Sequence, residues 1–337
     1  MAQFLDKAFD LRDQHRGAIS SADFDLVYEL IHSRLTGLLS KSAVDLDNVE
    51  TVFSLVEMGQ LLERLPNTST AELAKAARAI RVVLAQTIEH YAPFKTDGEG
   101  RWIPHDVYRE LVQPLRRRPA PPWSFITFNY DLALDFALHW SMLPIDYGFG
   151  HAAAGAVPVL KLHGSLNWAM CPKCKEIRAA DFSAHFRRDV GFQPKPNSAY
   201  PIPSSGLLRL LGAHCQGEDA PTEPAIVPPT WNKTQYHTLF GAVWRRAAEE
   251  LSKAEVIYVI GYSLPESDVF FRDLLALGLA GSTRLIRFQI VNPDGNVGNK
   301  FHRLLGGLAH SRFRNTTDDF KVFVHVLLRS DEVPKDT

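Results

Sequence analysis

The chain has 337 residues, of which 45% are hydrophobic, with 37 Lys or Arg set against 38 Asp or Glu. That size fits one large domain or two modest ones, and the apolar share excludes global disorder. A formal net charge of −1 excludes the clustered basic excess of a duplex-binding protein, so no nucleic-acid partner is expected.

Other absences narrow the class further. No apolar run reaches the roughly 18 residues that mark a membrane span. The start, MAQFLDKAFDLRDQHRG, lacks a signal-type apolar stretch, and three cysteines argue against a secreted disulfide framework. A cytoplasmic protein without a membrane partner is the expectation.

In chain order, apolar residues recur at helical spacing over 24–39, 48–65 and 68–91. The last of these opens with Ser69 and Glu72 in capping-box spacing. Residues 105–115 form a shorter helix interrupted by Pro114, and LRRRPAPP (115–122) reads as a helix end and linker. No strand pattern stands out among these segments, so 1–120 reads as a helical subdomain or insertion.

Beyond Pro122 the pattern changes, and 121–330 reads as an α/β core. Strands are predicted at 123–129, 157–163, 255–262, 284–292 and 321–329, with helices at 131–140, 268–280 and 299–308. Strands alternating with helices predict a doubly wound, mainly parallel sheet, whose ligands bind beyond the carboxyl ends of the strands. Four predicted strands end in small or polar residues: Asn129, His163, Gly261 to Ser263, and Asn292. Between them, 171–230 lacks periodicity and reads as an irregular, ordered insertion carrying CPKC.

Each of these residues also has a local reading. Asp131 suits a helix N-cap, His163 a hydrogen-bonded strand end, and Asn292 a loop cap. Gly164 permits a sharp turn or close backbone approach to a ligand. Cys171 and Cys174 form a CxxC half-site for structural zinc; Cys215 with His214, Glu218 or Asp219 would complete it, and the alternative is a degenerate, metal-free loop.

Taken together, TFNYD (127–131), LKLHGSLNW (160–168), CPKC, IVPPTWNK (226–233) and VIGYSLPESD (259–268) resemble the sirtuin-like family, and within it bacterial proteins of the antiphage-defence type. The resemblance implies a Rossmann-like core binding NAD as substrate. It implies that His163 orients or deprotonates a hydroxyl of the nicotinamide ribose, and that Asn129 positions the attacking water or the ribose. Asp131 would contact the nicotinamide carboxamide, Ser263 with the Gly261 backbone a phosphate or the adenosine-side ribose, and Asn292 the adenosine ribose.

The chain departs from the family pattern in places. Phe128 stands where sirtuins carry Gln, the fourth zinc cysteine is missing, and no Gly-rich phosphate loop precedes AQFLDKAFDL. The last departure reads as a truncated or mis-assigned start. The expected activity is NAD+ hydrolysis at the nicotinamide–ribose bond, in defence by NAD+ depletion. The alternatives are a catalytically impaired nucleotide- or partner-binding module and, ranked below it, an NAD-dependent protein deacylase. A homo-oligomer or defence-system partner is compatible with either class.

Overall fold

The computed structural model describes residues 3–14, 19–65, 67–117, 123–150, 152–171, 173–180, 194–203, 223–228, 239–266, 268–280 and 284–329. Cys215 with its candidate co-ligands, the linker 118–122 and most of PPTWNK lie outside them.

The described helices are α1 (Phe4–Gln14), α2 (Ser21–Glu29), α3 (Val49–Leu61), α4 (Thr70–Tyr91), α5 (Asp106–Val112), α6 (Ala133–Trp140), α7 (Gly241–Lys253), α8 (Val269–Leu279), α9 (Asn296–Leu305), α10 (Ala309–Arg312) and α11 (Phe320–Arg329). The described strands are β1 (Phe94–Thr96), β2 (Trp102–Ile103), β3 (Phe125–Thr127), β4 (Ile145–Asp146), β5 (Val157–Lys161), β6 (Gly164–Met170), β7 (Ile177–Ala179), β8 (Ala199–Tyr200), β9 (Glu223–Ile226), β10 (Val256–Ile260), β11 (Arg287–Val291) and β12 (Phe313–Thr316). Among the described residues no helix is long and apolar enough to cross a membrane.

The chain divides into two compact units. The first comprises Met1–Ile103, Phe128–Leu132 and His163–Leu239. Its central helix is α4, which packs against α2, α3 and β9. The Ser69 side chain accepts from the Glu72 backbone N–H and the Glu72 carboxylate accepts from the Ser69 N–H, so the predicted capping box starts the helix. Leu73, Ala76, Ile80, Val83 and Leu84 then recur at helical spacing and are buried, which is why the segment packs as a helix.

The long helix expected over 24–39 is shorter. The α-helix ends at Glu29, and the chain continues as a π-helical stretch (Leu30–Leu35) and a 3-10 turn (Thr36–Ser40).

Two features of this unit correct the sequence reading. The region before 120 holds strands after all: β1 pairs antiparallel with β2 and, on its other side, with β8 from the insertion. The Asp97 carboxylate accepts from the N–H groups of Glu99 and Arg101 at 2.9 Å each, closing the β1–β2 turn. The insertion is likewise not wholly irregular. β6 and β7 form a hairpin through the CPKC turn, and β9 pairs with the other edge of β6.

The second unit comprises Pro104–Thr127, Ala133–Leu162 and Phe240–Thr337. It carries two three-stranded parallel sheets, of order β3-β5-β4 and β10-β11-β12, rather than one continuously hydrogen-bonded sheet. Every residue of β5 is buried, as expected of a central parallel strand written VPVLK. Leu111, Val291, Phe323, Val324 and Leu327 form a core against which Trp123, Phe125, Tyr258 and Ile260 pack, so α5 and α11 share it with strands of both sheets.

The expected last strand, 321–329, is the helix α11. The alternation of KVFVHV reads as a strand, yet Phe323, Val324 and Leu327 fall at helical spacing and are the buried positions. The Asp319 carboxylate accepts the Val322 N–H at 2.8 Å and starts the turn. The last strand of the sheet is instead β12, written FRNT.

Candidate functional site

The chemistry-bearing residues fall into two groups, one in each unit. In the second unit, β3 and β5 pair in parallel with Thr127 opposite Lys161, and the Leu162 N–H donates to the Thr127 carbonyl at 2.9 Å. The chain segments that carry Asn129 and His163 therefore leave neighbouring strands in the same direction.

In the first unit those segments meet. The Phe128 ring lies 4.8 Å from the His163 ring, centroid to centroid, and the Tyr130 ring 6.3 Å away. The Leu166 N–H donates to the Tyr130 carbonyl at 3.0 Å, the Val227 N–H to the His163 carbonyl at 2.8 Å, and the Tyr130 hydroxyl to the Val227 carbonyl at 2.5 Å. TFNYD, LHGS and the end of β9 are thus laced together by two backbone bonds and the Tyr130 hydroxyl. His163 and Asp131 are half-buried and Asn129 is exposed.

Gly164 makes the sharp turn that was one of its two expected roles. Its φ is +85°, and a Cβ there would collide with the Ala225 carbonyl. The close approach is to β9, paired at Gly164↔Ile226, and turns the chain from His163 into the fully buried β6.

The second group follows β10 and β11. Gly261 has φ +70°, and its N–H donates to the Val291 carbonyl at 2.9 Å, clasping the two strand ends together. Asn292 is 7% exposed; its Oδ1 accepts the Asp294 N–H at 2.9 Å, and its Nδ2 points at the Tyr262 carbonyl at 3.5 Å. The Asn292 amide therefore braces the loop in which it sits. Ser263 is exposed, and its carbonyl accepts from Lys300 Nζ at 3.3 Å.

Tyr262 was not singled out by sequence. Its hydroxyl donates to Asp268 Oδ2 at 2.6 Å, and its ring meets Phe271 edge-on at 5.0 Å. Burial pushes this hydroxyl far above its ordinary pKa, reinforced by the Asp268 carboxylate. Lys300 also escaped the sequence reading, because a lysine on an amphipathic helix carries no mark of a partner 37 residues away. Beside it, an open depression of about 440 Å³ is lined by Asn296, Asn299, Lys300, His302 and Arg303. Amide and cationic donors of this kind suit anionic groups such as phosphate.

Of the candidate zinc ligands, Cys171 is buried and Cys174 exposed at the β6–β7 turn, where the Lys175 N–H donates to the Cys171 carbonyl at 2.9 Å. Among the described residues no group of three or more His, Cys, Asp or Glu is placed to hold a metal ion.

No protein-family model matches the chain. It is similar to an NAD-dependent protein deacylase of Mycolicibacterium paratuberculosis (strain ATCC BAA-968 / K-10), at 26% identity over 185 residues, covering 50% of this chain and 68% of that protein. It is also similar to an NAD-dependent protein deacylase of Daphnia pulex, at 34% identity over 128 residues, covering 37% of this chain and 43% of that protein. The chain thus spans less than half the length of the second relative. A solved structure of Sir2 with the inhibitor EX-527, 2′-O-acetyl-ADP-ribose and a deacetylated p53 peptide matches at 15% identity and a TM-score of 0.36, covering 68% of this chain and 73% of that one. The two sequence relatives support the sirtuin-like resemblance.

Proposed function

We propose that the protein hydrolyses NAD+ at the nicotinamide–ribose bond, and that it does so in bacterial antiphage defence by depleting NAD+. The observation that carries the reading is the packing of Phe128 on His163, which joins the Asn129 segment to the histidine. The NAD-dependence named for both relatives is the second support.

The reaction needs no nucleophilic side chain. The C1′–N bond breaks with its electron pair passing to the pyridinium nitrogen, so nicotinamide leaves neutral and the ribose becomes oxocarbenium-like. Water adds at C1′ and loses a proton, giving ADP-ribose. Asn129 positions that water or the ribose, and His163 orients or deprotonates a ribose hydroxyl. Asp131 contacts the nicotinamide carboxamide. In the second unit, taken by itself, the proposed role of Ser263 with the Gly261 backbone is to hold a phosphate or ribose group, and that of Asn292 a ribose.

The competing reading is an NAD-dependent protein deacylase, the activity named for both relatives. Nicotinamide release from NAD+ by the full chain, with and without an acyl-lysine peptide, separates the two. Peptide-independent release that disappears in Asn129→Ala and His163→Ala supports hydrolysis. Strictly peptide-dependent release, with O-acyl-ADP-ribose as product, supports deacylation. Binding of NAD+ without turnover in either assay supports a nucleotide-binding module.

A further inference from the structure

Lys161 and Asp135 form an ion pair almost wholly removed from water. Nζ lies 2.9 Å from Oδ2, and the side chains are 1% and 0% exposed. The second carboxylate oxygen, Oδ1, accepts the Tyr147 hydroxyl at 2.7 Å. Both oxygens of Asp135 are thus engaged, which fixes the carboxylate plane as well as its position.

Such a pair adds little to stability. The cost of desolvating two charges roughly cancels their attraction, and apolar side chains of similar volume pack at least as well. What the pair does is hold a geometry. Lys161 is the last residue of β5, two residues before His163. Asp135 lies in the first turn of α6, four residues beyond Asp131. Tyr147 follows β4, the other neighbour of β5. The salt bridge therefore ties the strand that delivers His163 to the helix that follows Asn129 and Asp131.

We propose that Lys161 and Asp135 are positioning residues, with Tyr147 as their brace: the buried pair sets the register between the two chain segments that supply Asn129 and His163. Its kinetic consequence rests on the NAD+-cleaving reading, whereas its geometric consequence does not.

The test compares the full chain with Lys161→Met, with the double variant Lys161→Met/Asp135→Leu, and with Tyr147→Phe. The single lysine variant strands a buried carboxylate and melts well below the parent. The double variant removes both charges and melts near the parent. In the double variant kcat for nicotinamide release falls about a hundredfold, while KM for NAD+ changes by less than about threefold. Its His163 imidazole NMR signal, assigned by its loss in His163→Ala, broadens or shifts. A folded double variant with the parent's kcat and an unchanged His163 signal overturns the proposal.

If the double variant does not fold, Tyr147→Phe decides. It frees one carboxylate oxygen, and a kcat loss of about tenfold with a displaced His163 signal is expected; parental values of both overturn the proposal. If the parent releases no nicotinamide at all, the hydrolase reading fails, and the His163 signal alone decides the positioning role.

Discussion

The Tyr130 hydroxyl donates to the Val227 carbonyl at 2.5 Å, while the Val227 N–H donates to the His163 carbonyl at 2.8 Å. One residue at the end of β9 is thus held from both sides by the two motifs that carry the candidate chemistry. Tyr130→Phe keeps the ring and leaves that carbonyl short of a donor. The expected cost is about 1 kcal/mol in denaturant unfolding, because one net hydrogen bond is lost. Nicotinamide release should fall more steeply than stability, since the His163 backbone shares the anchor. Unchanged turnover in Tyr130→Phe would show that the anchor is only structural.

Gly164→Ala is expected to be far more damaging than its size suggests. The methyl group meets the Ala225 carbonyl in a backbone conformation with φ +85°. Strain and overpacking together amount to about 3 kcal/mol or more. A melting scan checks this, and a parental midpoint would contradict the Gly164 geometry.

The Ser69–Glu72 box predicts that Ser69→Ala costs about 1 kcal/mol of stability, read by urea unfolding. The Glu72 carboxyl sits below its ordinary pKa, first because it accepts from the Ser69 backbone N–H. A depressed carboxylate stabilises the fold above its unfolded pKa, and that contribution fades as pH falls through the folded value. Glu72→Gln should accordingly flatten the acid limb of the stability profile, whereas Ser69→Ala, which removes the hydroxyl's bond to the carboxylate and keeps the backbone N–H, should flatten it only in part.

Tyr262 makes the opposite prediction at high pH. Burial, then the Asp268 bond, raises its pKa, so the folded state keeps a proton that the unfolded chain releases near pH 10. Stability from this group is whole below that pH and declines above it. Tyr262→Phe should lose less stability than the parent between neutral and strongly alkaline solution. Identical alkaline slopes in equilibrium unfolding would place the tyrosine in water.

Much of the architecture was readable because it is written locally. The buried run VPVLK, the apolar periodicity of 68–91 and the Ser69–Glu72 spacing each state their structure within a few residues. The strands that precede Asn129 and His163 were readable for the same reason, although they end at Thr127 and Lys161, two residues earlier than expected. What escaped depends on distant partners. The segment 321–329 alternates like a strand and lies in a helix because its burial pattern is set by Leu111 and Val291. TDGEGR carries a local hairpin-turn signal, but the pairing of β1 with β8 has no local mark. The partner of Gly164 is likewise visible only once β9 lies beside it, and the partner of Lys300 once Ser263 does.

The pairing of β1 has a consequence for biosynthesis. Thr96 bonds to the carbonyls of Lys195 and Ser198, about a hundred residues further along the chain. A ribosome adding about 5–20 residues per second delivers them 5–20 seconds after β1 is made. Throughout that interval the nascent helical region exposes an unsatisfied strand edge, the kind of surface that chaperones cover and that other nascent chains can capture.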